Sequence, residues 1–401
     1  MVDAGERLLD LAAPPRLRPV RLSVVGLCKN AGKTVTLNHL IRAAARRRIR
    51  LGLVGTGRDG EAADALTELP KPRIWVPVGT WVATGARALG EGTAALEVHR
   101  ELPFTTPFGP MVLARAVGEG EVLLTGPGPA QRIGAILGAL ESLGAELSLV
   151  DGSFDRIAAA SPAVTGRLVL AAGAAYSHSM AETVAQVAHL ADLFDLPAVP
   201  PEREAAVERA AALGPVTVLG PGSKALEVPV ESALGDPTVI IDWAAANGFP
   251  NPLVVLEGAL ADRLLFTLVK RRAFGMGLVV EDPTRICVDR RTWRRWRRRG
   301  GRVYVRRRAE LLAVTANPWS PSGPGYDPWA FWEALRAAAG RPVFDLEANL
   351  CAWAGAEGPA APGAAAPGQE AETEPAAGAE VGEGKVQPEG GGTHGPDAAG
   401  G

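Results

Sequence analysis

Residues 20–41 read VRLSVVGLCKNAGKTVTLNHLI: an apolar run, a loop and an amphipathic run, in that order. Val20–Gly26 is short, continuous and rich in β-branched residues, which predicts a buried strand. Lys33–Arg47 carries apolar residues at Leu37, Leu40 and Ile41, the spacing of a helix face. Between them stands Gly32-Lys33-Thr34. A strand, a glycine-bearing loop and a helix start form the context in which backbone N–H groups and the helix dipole cradle phosphate. Lys29, Asn30, Ala31, Gly32, Lys33, Thr34 and Val35 are the expected binding stretch. Lys33 reaches the β- and γ-phosphates, and the Thr34 hydroxyl ligates Mg²⁺. The strict motif has glycine where Leu27 stands, and here the glycine lies one residue earlier, at Gly26. A Gly-Lys-Thr that merely opens a helix is the plainer alternative.

Outward from this loop the pattern alternates. Further strands are expected at Arg50–Gly55, Arg73–Val78, Glu121–Thr125, Glu146–Asp151 and Arg167–Ala172, with helices at Ala130–Leu143 and Met180–Phe194. More strands follow at Val216–Leu219, Thr238–Ile241, Leu253–Leu256, Gly277–Val280, Arg302–Val305 and Leu311–Thr315. Strands separated by helices predict a P-loop NTPase-like α/β fold, mainly parallel, with helices on both faces. The expected organisation is an N-terminal extension (1–19), a nucleotide-binding domain (20–215), a second α/β lobe (216–350) and a tail (351–401). The division is placed on the Pro/Gly-rich stretch LGPVTVLGPGSKALEVP.

A phosphate site also needs acids. Asp151 closes the apolar run ELSLVD, the expected place for a residue that helps hold Mg²⁺. Asp59, in TGRDGE after the second strand, is the other candidate for the metal or the attacking water, with Arg58 near phosphate. Gly57–Glu61 is the expected switch loop. A strand-ending turn is the plainer reading of each acid, since Asp-Gly is a common turn pair. Thr125-Gly126-Pro127-Gly128 reads either as an anion-binding corner or as a tight turn. Thr315–Pro318 reads as an Asn-Pro turn, with a ligand-pocket lining as the alternative.

Composition bounds the function. The 401 residues carry a net charge of −2, against a globally basic nucleic-acid binder. Residues 351–401 hold 13 Gly and eight acidic residues with one Lys, Lys385, and are expected to be disordered. The remaining body is mildly basic, 41 basic against 36 acidic residues. Three cysteines, Cys28, Cys287 and Cys351, suggest no disulfide framework, and Cys28 reads as a small filler. The N-terminus lacks an apolar signal region and no run of 18 apolar residues occurs, so a cytoplasmic protein without a membrane span is expected. The five histidines show no metal spacing. Residues 285–308 hold twelve Arg with Trp293, Trp296 and Tyr304 interleaved. They are expected to form an amphipathic helix whose Arg stems shield the rings, facing solvent or a partner; nucleic-acid binding is the lesser reading.

The blocks GLCKNAGKT (26–34), VGTGRDGE (54–61), KPRIWVPVGTWVATGARAL (71–89), LSLVDGSFDR (147–156) and VTANPWSP (314–321) together resemble the ATP-binding reactivase subunit of lysine 5,6-aminomutase. The resemblance spans about residues 20–347. It implies a chaperone-like ATPase with ATP and Mg²⁺ as cofactors. Such a protein acts with a second reactivase component on an adenosylcobalamin-dependent aminomutase, exchanging damaged cobalamin for intact coenzyme. Two other classes stay open: a P-loop enzyme or adaptor of cofactor biosynthesis, similar to the molybdopterin-guanine dinucleotide adaptor, and a nucleotide-binding scaffold holding nucleic acid through the Arg cluster.

Overall fold

The computed structural model describes residues 3–56, 73–153, 161, 164–249 and 251–352. Its backbone is a ten-stranded sheet in the order Leu350–Ala352, Val343–Asp345, Glu310–Asn317, Arg167–Gly173, Val20–Gly26, Leu147–Ser153, Leu51–Gly55, Trp81–Gly85, Gly109–Ala116, Leu96–Thr106. All neighbours from Val343–Asp345 to Trp81–Gly85 pair in parallel. The outer strands are antiparallel.

Both faces of the parallel strands are covered, which is why they read as unbroken apolar runs. Leu22, Val24, Leu53 and Leu149 share a core with helices Ala4–Ala12 and Lys33–Arg46. The neighbours Val54 and Val150 point the other way, into helix Ala130–Ser142. Val25, Leu168 and Leu170 pack with helices Met180–Phe194 and Pro328–Ala339. The expected α/β class with a large, mainly parallel sheet is what the chain adopts.

A second, five-stranded sheet occupies residues 216–305, in the order Ala225–Glu227, Val216–Leu219, Leu253–Leu256, Gly277–Val280, Arg302–Val305. Its first strand in chain order is Val216–Leu219. Its end does not close a separate C-terminal lobe, because Glu310–Asn317 and Val343–Asp345 return to the first sheet. One apolar core joins the two sheets, through Val187 and Leu190 on one side and Val254, Leu256 and Trp296 on the other. The described residues belong to one compact unit.

Three expectations need correction. Thr238–Ile241 is not a strand but part of helix Pro237–Ala246. Asp236 caps it by accepting the Thr238 N–H at 3.0 Å, Pro237 supplies the preset φ of a first helical residue, and Ile240 and Ala244 bury one face. Ile74–Val76 forms an antiparallel ribbon with Gly120–Val122 and does not join the main sheet. The edge of that sheet is instead supplied by Trp81–Gly85 and the hairpin 96–116, which the alternating helix–strand reading missed.

Candidate functional site

The loop 27–32 crosses the C-terminal ends of three parallel strands, the end at which open α/β sheets place ligands. Leu27 extends the first strand by one bond, its N–H donating to the Ala171 carbonyl at 2.8 Å. The displaced glycine is therefore placed usefully. A Cβ on Gly26 would lie 3.0 Å from the Cys28 carbonyl oxygen and 3.6 Å from the Lys33 Cβ, so the loop folds back tightly over it. Gly173 has the same role from the next strand, since a Cβ there would sit 2.8 Å from the Ala31 Cα.

Asn30 and Gly32 take left-handed φ values of 60° and 96°, which turn the chain into the helix. Gly32 is the N-cap of Lys33–Arg46 and has no side chain to cap with. The first N–H groups of that helix have no intrahelical acceptor, leaving donors for an anion. Thr36 ties the first turn back, its hydroxyl donating to the Gly32 carbonyl at 3.2 Å and sharing a bond of 2.8 Å with Thr315.

Asp151 sits beside Val24 on one neighbouring strand and Gly55 on the other. Its carbonyl accepts both the amide and the hydroxyl of Thr56, each at 3.0 Å, which pins the end of Leu51–Gly55 to it. Its carboxylate meets Lys33, Nζ lying 2.8 Å from Oδ1. A partly exposed pair of this kind is worth only about 0–1 kcal/mol. A triphosphate carries more negative charge than one carboxylate and presents several acceptor oxygens, so an incoming phosphate can take Lys33 from Asp151.

These residues fit a nucleotide and its Mg²⁺. The helix start carries no side-chain cap, Lys33 supplies the cation, and the Asp151 carboxylate stands 2.8 Å from it. The sequence expectations for Gly32, Lys33 and Asp151 thus converge in space. Lys29 is exposed, Ala31 is buried beneath the turn, and Thr34 and Val35 are half-buried in the first helical turn. Asp59 lies outside the described residues, as do Arg58 and the rest of Gly57–Glu61.

Cys28 behaves as filler. Burial pushes its thiol up to about 11, which keeps it protonated near neutral pH. In the Thr125–Gly128 corner, Thr125 and Gly126 are spent on packing. Thr125 Oγ1 accepts the Gly85 N–H at 2.8 Å, and a Cβ on Gly126 would lie 2.0 Å from the Gly55 carbonyl. The Arg-rich segment forms helix Arg290–Arg297 with Trp293 and Trp296 buried and Asp289 as its N-cap.

Asn317 stands in the Thr315–Pro318 stretch expected as a turn or a pocket lining, but its contact with the loop was not expected. Its Nδ2 donates to the Asn30 carbonyl at 3.1 Å, bracing the loop from the neighbouring part of the sheet. A cavity of about 210 Å³ opens beside it, lined among others by Gly32, Val35, Thr315, Trp319 and Asp345. Comparison with models of protein families, with curated proteins and with solved structures finds no match to this chain.

Proposed function

We propose that the chain binds a nucleoside triphosphate with Mg²⁺ and hydrolyses it to drive a change of state in a partner protein. The observation that carries this is the approach of Lys33 Nζ to Asp151 Oδ1 at 2.8 Å, above the shared C-terminal end of two adjacent parallel strands. Lys33 and the uncapped helix start would hold the phosphates. Thr34 and Asp151 would hold Mg²⁺, which supplies charge neutralisation on the transferring phosphoryl group. On binding, Lys33 exchanges its carboxylate partner for a phosphate oxygen. The loop, folded tightly over Gly26 and Gly173 and turned by Gly32, orients the terminal phosphate. Asp59 is the residue proposed to orient water.

The partner is proposed from the sequence resemblance: an adenosylcobalamin-dependent aminomutase, reactivated by exchange of damaged cobalamin together with a second reactivase component. Hydrolysis can move such a partner only through a difference in its affinity for the nucleotide states. A full reversal from 1:99 to 99:1 needs about 5.5 kcal/mol.

The test uses aminomutase inactivated by turnover, mixed with this protein, the companion component, Mg-ATP and fresh adenosylcobalamin. Recovery of mutase activity that needs ATP and vanishes with Lys33→Ala is the expected result. Nucleotide binding without recovery would overturn the reactivase assignment and favour the cofactor-biosynthesis class.

A further inference from the structure

The cavity beside Gly32 has a composition that a phosphate cannot use. Its walls include the apolar Val35, Pro318, Leu346 and Trp319, together with the carboxyl-bearing Asp345. Asp345 is 1% exposed. Its Oδ1 accepts the Ala348 N–H at 2.9 Å, while its buried Oδ2 has no hydrogen-bond partner among the described residues. A buried acceptor left unmatched is costly, and in a native fold it calls for an explanation. A carboxylate repels phosphate and calls for an N–H donor. Trp319 lines the same cavity and is 54% exposed.

A flat heteroaromatic ring with N–H groups on its edge satisfies all three features. It stacks on the indole, fills an apolar slot, and donates to the orphaned oxygen. The volume suits one ring system; a site for a drug-sized ligand takes roughly 300–1,000 Å³. The position fits as well, because Gly32 and Val35 belong both to the phosphate loop's helix start and to the cavity wall. We infer that this cavity is the base subsite of the nucleotide, taking an amino-substituted purine, with Trp319 as its stacking platform and Asp345 as the residue that reads the N–H edge. The inference rests on the phosphate-loop reading and adds to it the side of the loop on which the base lies.

Adenine and guanine share this chemistry, and the experiment separates them. With the full chain and Mg²⁺, calorimetry would compare ATP, GTP, the triphosphate of unsubstituted purine riboside, and inorganic tripolyphosphate. At least one of ATP and GTP should bind tenfold or more tighter than tripolyphosphate. Trp319→Ala, at an exposed site that leaves the core intact, should remove about tenfold of that gain and leave tripolyphosphate unchanged. Asp345→Asn should weaken the preferred nucleotide severalfold but not the unsubstituted purine, whose edge offers no N–H. Equal binding of tripolyphosphate and both nucleotides, or nucleotide affinities that neither variant alters, would overturn the base subsite and leave the phosphate loop standing. Failure of every probe, tripolyphosphate included, would overturn the loop reading and the base subsite with it.

Discussion

Asn317 occupies the space that a side chain on Gly32 would need. A Cβ on Gly32 would lie 2.8 Å from the Asn317 Cβ, while the amide of Asn317 holds the Asn30 carbonyl at 3.1 Å. The loop is thus shaped by its own glycine and clamped by a residue 287 positions away from Asn30. Gly32→Ala is expected to combine a steric clash with a φ of 96° that L residues resist, costing about 1–3 kcal/mol. Asn317→Gly, which removes that Cβ as well as the amide, should cost about 1–2 kcal/mol for the lost hydrogen bond and the freer backbone. In the double variant the clash disappears but the φ strain stays, so the two effects should be less than additive. Thermal unfolding of the three variants checks this; simple additivity would refute the shared space.

Lys33 and Asp151 are partners before phosphate arrives, so their variants should part company. Lys33→Ala removes the cation and should weaken triphosphate binding at least tenfold with or without Mg²⁺. Asp151→Asn frees Lys33 from its carboxylate. It should bind metal-free triphosphate at least as tightly as the native chain, yet lose most of the affinity that Mg²⁺ adds and most hydrolysis. Titrations with and without Mg²⁺ read both effects. An Asp151→Asn protein that loses metal-free binding as badly as Lys33→Ala would contradict the exchange.

How much of this was legible beforehand follows from sequence distance. Val20–Gly26, the helix opening at Lys33 and the strand ending near Asp151 each announce themselves within a dozen residues, through apolar runs and one glycine. The clamp by Asn317 and the orphaned Asp345 arise only when Glu310–Asn317 and Val343–Asp345 return to the first sheet, and no local pattern encodes that return. Thr315–Pro318 was legible as a turn, with a pocket lining as the alternative, but the loop carbonyl that Asn317 holds was not. Helix Pro237–Ala246 was misread for a different reason. The β-branched run Thr238–Ile241 spoke for a strand, and the Asp236-Pro237 start signal outweighs it in the fold.

Cys28 stands in the loop yet should be the wrong cysteine to label. With its thiol pushed up to about 11 by burial, only about one molecule in ten thousand carries the thiolate at pH 7. Cys287 is exposed. Iodoacetamide at pH 7 should therefore modify Cys287 well before Cys28, as peptide mapping over a time course would record. Fast, selective modification of Cys28 would reopen a chemical role for it.

His189 gives the fold a pH dependence. It is buried between helix Met180–Phe194 and the Arg-rich helix, with Nε2 bonded to the Val288 carbonyl at 3.0 Å and the ring edge-on to Trp293. Burial lowers its pKa, against the Val288 bond and Asp192, which favour the charged form; Arg290 and Arg294 add to the lowering. The unfolded chain then binds a proton that the folded chain refuses, so stability is full above the ordinary histidine pKa and falls as pH drops through it. The slope contributed below pH 6.5 is at most about 1.4 kcal/mol per pH unit. His189→Gln should flatten denaturant midpoints measured between pH 7.5 and 5.5, relative to the native chain. An unchanged slope would assign the acid sensitivity elsewhere.

Arg306 ties the second sheet to its surroundings. It follows strand Arg302–Val305 with a side chain only 10% exposed, and bonds both Glu208 of helix Pro201–Ala211 and Glu257 after strand Leu253–Leu256. Its Nε donates to Glu208 at 2.9 Å, and that hydrogen bond is what chiefly holds the Glu208 carboxyl below its usual range. Removing one partner of a fully buried pair costs about 3–5 kcal/mol, because the other charge is stranded. Here the two glutamates are 53% and 36% exposed and can return to water. Arg306→Ala should therefore cost less, about 1–2 kcal/mol, much of it from the lost packing of the arginine stem. Arg306→Met keeps the stem and removes the charge, so it should recover part of that loss. The folded Glu208 carboxylate is stabilised only while ionised, so the native chain's advantage over Arg306→Met should shrink as pH falls through its folded pKa. Chemical denaturation of both variants at pH 7 and pH 4 tests the assignment: a native-to-Met gap that widens in acid would show that the charges are not what Arg306 contributes.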